Sequence, residues 1–598
     1  MIKKLLCSMF TTVLLVGLFA SHVNAALLDQ GPVEAKPLVI LMDFPDYRYS
    51  DFLDREVEGD ILSYSDNYEA AYYQDMLFGP ETYEGKDNKY FMTMNKYFKL
   101  ESREQYSVNG GVAGWYTAKN NALHYGNTQK EASWLVEEGA DAVSQDTSIN
   151  LSDYDVIDKA DYDNDGNYYE PDGLIDTVIL VHAGKGEEWY SGGSIGAEAA
   201  IWPFQSSLSG YREDKSPYEV VDTNGNTYKF EDFVMVEQDA PVGLISHEYG
   251  HSLGLPDLYG NSEPVQNWTT MAGGSYAGYP IGSMTVGYGA YCREQLQNDH
   301  GGDWQRQNRI DLEDIGSEGM DVTLIAASSQ NSGTDAVRID LPDKVTTIVE
   351  PYSGDNTYYG GKEDAAYHYM TTNLDFTVDA NKNIQLKFKT QYDIEEDWDY
   401  GYVQVREEGT EEWTAIEGNI TTTENPNIDE GDFLRNPGHG ITGNSGGNWV
   451  DGIFDISDYA GKKIDLRIGY GTDGNTQGTG FFVDDIRITV NDEEVFFDDA
   501  EGELRFVLDG FEESNGVFIA ENYYLIEWRN QDGSDEGLEQ SYYYSDTTPY
   551  DPGLLIWYID RTYGTLDRLS QDGEANPGHV SVGIVDADQK PVIWKYPN

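Results

Sequence analysis

Between Ser246 and Asp257 the chain reads Ser246-His247-Glu248-Tyr249-Gly250-His251-Ser252-Leu253-Gly254-Leu255-Pro256-Asp257. No other stretch restricts local structure as tightly. Residues four apart share one face of a helix, so a helix here aims the imidazoles of His247 and His251 at one point. Gly254 predicts a sharp exit from that helix, because glycine enters the left-handed region without steric penalty. The chain then turns back, and Asp257 can reach the same point as a third ligand. Two imidazoles and a carboxylate form a donor set for tetrahedral zinc, with a fourth position left open, as a hydrolytic zinc requires. Glu248, beside the first ligand, is placed to act as general base on a zinc-bound water. Met271, within Asn267-Trp268-Thr269-Thr270-Met271-Ala272-Gly273-Gly274, is expected beneath the metal as a methionine turn. Tyr276, just beyond it, is a candidate hydrogen-bond donor to the oxyanion.

The chain has 598 residues, too many for one hydrophobic core. It opens on Met1-Ile2-Lys3-Lys4 and an apolar run from Leu5 to Ala20, followed by Val23-Asn24-Ala25. This pattern predicts a secretory signal peptide cut after Ala25, not a membrane span. No later stretch approaches the roughly 18 apolar residues of a spanning helix, so a secreted, extracellular protein is expected. Cys7 leaves with the signal peptide and Cys292 remains alone. No intramolecular disulfide can then form, and bound calcium is the expected staple. The formal charge of −69 disfavours nucleic acid and anionic membranes as partners. Its plain reading is solubility in a salty or alkaline medium, where screening removes the self-repulsion. A monomer with protein or peptide substrates is expected.

Along the chain, Pro37 to Asp43 and Thr177 to His182 read as buried strands. Helical periodicity appears at 72–78, 91–98 and 132–143. Alternating strands and helices predict an α/β or α+β domain, taken as α+β over residues 26–315. Beyond it the pattern turns to period two. Val322–Ile325 and Ala336–Ile339 read as paired strands, and Ile384, Leu386 and Phe388 alternate with polar residues, as do Ile464, Leu466 and Ile468. A β-sandwich is expected at 350–502. Asp161, Asp163, Asp165, Asn167 and Asp172, with Gly166 at the sixth position, match a calcium loop. The C-terminal run Val592 to Asn598 has no cap, which suggests a truncated copy of a longer protein.

The segments Asp43-Phe44-Pro45-Asp46, Val112 to Ala118, Asp161 to Asp176, His182-Ala183-Gly184 and His247 to Asp257 carry a wider resemblance. It continues through Asp397-Trp398-Asp399-Tyr400, Gly480 to Ile486, Tyr523 to Arg529 and Gly553 to Trp557. Over nearly all of 37–598 the chain resembles the immune inhibitor A family (peptidase family M6) of bacterial, metzincin-like zinc metallopeptidases. The resemblance implies a secreted, zinc- and calcium-dependent endopeptidase acting on extracellular proteins. It implies zinc on His247, His251 and Asp257, in a zincin-type catalytic domain. It further implies one discontinuous β-domain, 316–349 plus 503–598, with a jelly-roll-like sandwich, 350–502, inserted in it. Asp399, Asp484 and Asp485 are calcium candidates in that sandwich. The family usually carries a pro-segment, for which the short lead 26–36 leaves no room.

Overall fold

The apolar runs at 38–43 and 178–182 become neighbouring strands at the centre of a sheet. The computed structural model describes residues 27–52, 65–85, 88–159, 165–189, 195–212, 214–259, 265–363, 365–427, 436–474, 478–543, 546–563 and 581–585. The expected signal peptide, Asp161, Asp163 and the run 592–598 lie outside them. The chain divides into two units. One comprises residues up to Pro342 together with those from Asn522 onward; the other is Asp343–Glu521.

In the first unit, β1 (Leu38–Asp43), β2 (Gly111–Thr117), β3 (Val178–His182), β4 (Phe204–Ser207) and β5 (Asp232–Glu237) form a five-stranded sheet in the order β2-β1-β3-β5-β4. The first four strands in that order are parallel, and β4 runs antiparallel at the edge. Every residue of β1 and β3 is buried, so both faces must be covered. This explains why these strands read as continuous apolar runs rather than alternating ones. Helix α3 (Gln129–Ser144) supplies part of that cover, with Gly139 against Ile40 and Leu180. Helix α1 (Ala70–Phe78) packs on β2, and α4 (Val242–Ser252), which follows β5 directly, packs on β4 and β5. The periodicity at 91–98 resolves into a strand at Tyr90–Met92 and helix α2 (Met94–Glu101). Thr93 sets the boundary, because its hydroxyl accepts the Lys96 N–H as an N-cap.

A second sheet of the same unit runs β6 (Gln307–Asp311), β7 (Ala336–Asp340), β8 (Asn522–Arg529), β9 (Gly553–Asp560), β10 (Val582–Ile584). The pairing expected for Ala336–Ile339 is corrected here. Residues 322–325 form no strand; β7 pairs with β6 in parallel and with β8 antiparallel. The neighbouring positions on β7 are therefore taken by β6 and β8, and Val322 is left exposed at the surface.

A buried ionic network ties this sheet to α5 (Gly289–His300). Glu527 is fully buried and meets Arg293 at 2.6 Å and Arg529 at 3.2 Å. It also accepts the Trp557 indole N–H at 2.9 Å and the Ala290 N–H at 3.2 Å. Arg529 Nε reaches Asp535 at 2.8 Å, and Asp535 accepts the Gly287 N–H at 3.0 Å.

The second unit holds two antiparallel six-stranded sheets. One contains Val450–Asp455, Ile384–Asp393, Gly480–Val490, Thr357–Tyr359, Glu512–Ser514 and Glu493–Asp498. The other contains Thr414–Ala415, Tyr400–Glu407, Lys463–Gly471, Tyr367–Asp375, Val507–Asp509 and Gly440–Ile441. Leu386, Phe388, Val403, Leu466, Ile468 and Phe481 share its core. The alternation read at 384–388 is the inward half of a strand whose other side chains are only partly buried.

Two tests follow from this packing. Truncating Glu527 to alanine takes the carboxylate partner from buried Arg293 and leaves buried Arg529 with Asp535 alone, and is expected to lower unfolding stability by about 3–5 kcal/mol in denaturant titrations. Asp176 is buried, and burial, opposed by the N–H groups of Val156 and Ile157, pushes its carboxyl up to about 7. A raised acid contributes stability that is full below its ordinary value of 3.8 and is lost as pH rises through about 7. Asp176→Asn does not titrate, so its melting temperature relative to the wild type should climb between pH 4 and pH 8.

Candidate functional site

Four residues, 238–241, separate the end of β5 from the start of helix α4, so the strand's C-terminal edge fixes where His247 and His251 emerge. Their rings stand 4.9 Å apart and nearly perpendicular. Each Nδ1 is held by a main-chain carbonyl: His247 by Thr270 O at 2.8 Å, His251 by Leu255 O at 2.7 Å. In the neutral ring those contacts assign the proton to Nδ1 and leave both Nε2 lone pairs free. Both Nε2 atoms face one oxygen, Asp257 Oδ1, at 3.1 and 3.3 Å. That oxygen is buried and has no hydrogen-bond donor.

Three acceptors with no donor among them repel unless a cation intervenes. Ligands at 2.0–2.1 Å from a tetrahedral ion stand about 3.4 Å apart, close to the separations seen here. The donor set therefore fits zinc. Without a metal, burial opposes charging of His247, but Asp257 and Glu248 outweigh it and push the ring up to about 9. Burial likewise opposes ionisation of Asp257, yet the two imidazoles hold its carboxyl well below the usual range. Among the described residues, one group of three His, Cys, Asp or Glu side chains brings its ligand atoms within 4.8 Å of one another: His247, Glu248 and His251. Glu248 thus borders the same point. Burial raises its carboxyl above the ordinary value, and the two histidines moderate the shift.

The turn after α4 behaves as the spacing requires. Gly254 has φ +87°, and the chain reverses so that Leu255 O and Asp257 both return to the helix. Met271 is fully buried under α4: a Cβ on Gly250 would lie 2.7 Å from its sulfur. Tyr276 lines a cavity of about 430 Å³ together with Glu188, Trp202, His247, Glu248 and Tyr259. Burial, reinforced by Glu188, Glu237 and Glu248, pushes its phenol well up, so the hydroxyl keeps its proton as a donor. A separate cavity of about 230 Å³, lined by residues including Tyr106, Asp176, Tyr249 and Trp304, contains none of these groups.

Of the expected calcium ligands, Asp165 and Asp172 spend an oxygen on the N–H two residues ahead, and Asn167 accepts from Tyr169 N–H. Gly166 has φ +81°. In the sandwich unit, Asp399 accepts the N–H groups of Glu395 and Asp473, and Asp484 those of Tyr352, Ser353 and Asp485. Burial pushes both carboxyls up to about 6. Asp485 pairs with Arg487 at 3.1 Å. Sequence reasoning missed Glu188, Trp202, Tyr259 and the Thr270 carbonyl. The first three carry no spacing signal, and a carbonyl has no side chain to read.

Three family profiles match the chain: "Immune inhibitor A peptidase M6, catalytic domain" over residues 25–305, "Immune inhibitor A-like, MAM domain" over 318–516, and "Immune inhibitor A-like metallopeptidase, VEG domain" over 518–597. The pre-pro-metalloprotease PrtV of Vibrio cholerae serotype O1 is 36% identical over 572 residues, which is 94% of this chain and 60% of that relative. Immune inhibitor A of Bacillus thuringiensis subsp. alesti is 31% identical over 581 residues, 93% of this chain and 79% of that protein. The chain thus spans less than two thirds of the Vibrio relative's length.

Gly254→Ala tests the turn. At φ +87° a Cβ adds about 1–2 kcal/mol of strain. Lower stability is expected, with weaker metal uptake in competition with a chelator as Asp257 swings from the two imidazoles.

Proposed function

The chain belongs to the immune inhibitor A family of metallopeptidases, and we propose that it is a secreted zinc endopeptidase that hydrolyses extracellular proteins. In this reading His247, His251 and Asp257 hold the metal and Glu248 is the general base. The observation that carries it is the single buried oxygen of Asp257 facing both Nε2 atoms without a donor. Secretion is supported by the Met1–Ala25 leader pattern. Among the described residues no helix is long and apolar enough to cross a membrane.

Zinc, when bound, supplies the Lewis acidity that polarises a scissile carbonyl and acidifies a water. The protein's own groups do the rest. Thr270 and Leu255 carbonyls keep both imidazoles in one tautomer and orientation. Glu248 is buried beside them with a raised carboxyl, suited to take a proton from the attacking water and return it to the leaving amine. Tyr276 presents a protonated hydroxyl to the cavity and is the proposed oxyanion donor. Apolar Trp202, Pro203 and Leu244 line the same cavity and offer a side-chain subsite.

The finer architecture belongs to the same proposal. A parallel sheet whose edge strand is antiparallel, followed by the two-histidine helix, supports a zincin-type catalytic domain. The paired antiparallel sheets support the jelly-roll-like sandwich, and the β7-β8 pairing supports a β-domain interrupted by it. Structural calcium at the 161–172 loop rests on Asp165, Asn167, Asp172 and the left-handed Gly166.

Casein hydrolysis by the mature chain is the test, beside Glu248→Ala at matched zinc content. The variant should fall by about 10²–10⁴-fold with zinc retained. Equal activity in both proteins would remove Glu248 as the base. A chelator should abolish wild-type cleavage, and added zinc should restore it.

A further inference from the structure

Strands β3 and β5 are parallel neighbours, with His182 paired to Glu237. Their C-terminal ends therefore deliver the segment 183–189 and Glu237 to one place, the edge where parallel sheets carry their ligands. The contact is close: Gln238 N–H donates to Gly184 O at 3.3 Å. Glu237 is fully buried. Neither of its carboxylate oxygens has a hydrogen-bond partner, and the same is true of both oxygens of Glu188. The two carboxyl groups lie within hydrogen-bonding reach of each other. The main chain curls tightly around one of them, since a Cβ on Gly186 would lie 2.0 Å from Glu188 Oε2. The neighbouring ammonium of Lys185 is engaged by Asp239.

Two ionised carboxylates facing each other in a buried site are strongly unfavourable. A shared proton would satisfy one oxygen of each and leave the other two orphaned. A dication can satisfy all four. We propose that Glu188 and Glu237 together hold a divalent cation of the calcium class behind the wall of the catalytic cavity. The ligands are all oxygen, which selects a hard cation over zinc. No third His, Cys, Asp or Glu joins the pair within 4.8 Å among the described residues. The remaining ligands of a six- to eight-coordinate ion are then main-chain carbonyls and water. Glu188 lines the catalytic cavity beside Trp202 and Tyr276, so the cation fixes the position of a wall that substrate meets. This site is separate from the loop at 161–172.

The test uses the full mature chain, loaded with zinc and dialysed free of calcium, with calcium then added. Bound calcium per chain is measured by elemental analysis, and the calcium-dependent rise in melting temperature is recorded. Glu188→Gln and Glu237→Gln should each lose one calcium per chain and the matching part of that rise, with zinc content unchanged. Asp165→Asn with Asp172→Asn should leave that ion in place. Unchanged calcium stoichiometry and an unchanged melting shift in both glutamine variants would overturn the proposal. A measurement independent of variant folding is anomalous diffraction from terbium-soaked wild-type crystals. A peak bridging Glu188 and Glu237 is expected, and its absence at saturating terbium would sink the idea.

Discussion

The contacts of Glu527 are the interaction on which the first unit rests. A fully buried carboxylate is tolerable only when its lone pairs are matched, and here Arg293, Arg529, the Trp557 indole and the Ala290 amide match them. Those partners come from α5 and from two strands of the second sheet, so the charge draws distant parts of the chain together. Arg529 then donates to the Trp268 carbonyl at 2.8 Å, at the start of the segment that carries Met271. Asn267 reaches Ser541 at 2.7 Å, and Gly278 N–H reaches Gln540 O at 2.8 Å. The segment beneath the two histidines is therefore anchored to residues 261 and 274 positions further along the chain.

That anchoring matters because the imidazoles are oriented by main chain. Thr270 O fixes His247, and Thr270's own hydroxyl is held by Val286 O. Tyr288 donates to Ser246 O at 3.0 Å, and Tyr97 to Val286 O at 3.0 Å. A shift of the 267–288 segment would rotate the His247 ring through its contact with Thr270 O. The rigidity such a donor cluster needs is thus supplied from outside the two-histidine motif.

The same edge of the central sheet carries two kinds of chemistry. The turn after β5 leads into the histidine helix, and β5 itself ends in Glu237 beside Glu188. Nitrogen and carboxylate donors face one point, and carboxylate oxygens alone face the other. Donor type separates the metals each can hold. Lining by Glu188 links the second point to the cavity shaped by the first.

The two-histidine helix, its exit at Gly254 and the returning Asp257 were legible in the sequence, because all three rest on local spacing and on one conformation that only glycine adopts cheaply. The buried strands at 38–43 and 178–182 were legible for a similar reason: two covered faces leave an unbroken apolar run. The neighbours of Ala336–Ile339 were not, since pairing is decided by whichever strand reaches the edge, and that was β6, in parallel, and β8, nearly two hundred residues away. Nor were Glu188 and Glu237, which lie far apart in the chain and match no spacing pattern. By itself the sequence determined which side chains can bind a metal and in what local geometry. Only the tertiary structure decided which carbonyls orient them, which acids are buried without partners and what lines the cavity, because those depend on contacts between segments whose separation no local periodicity records.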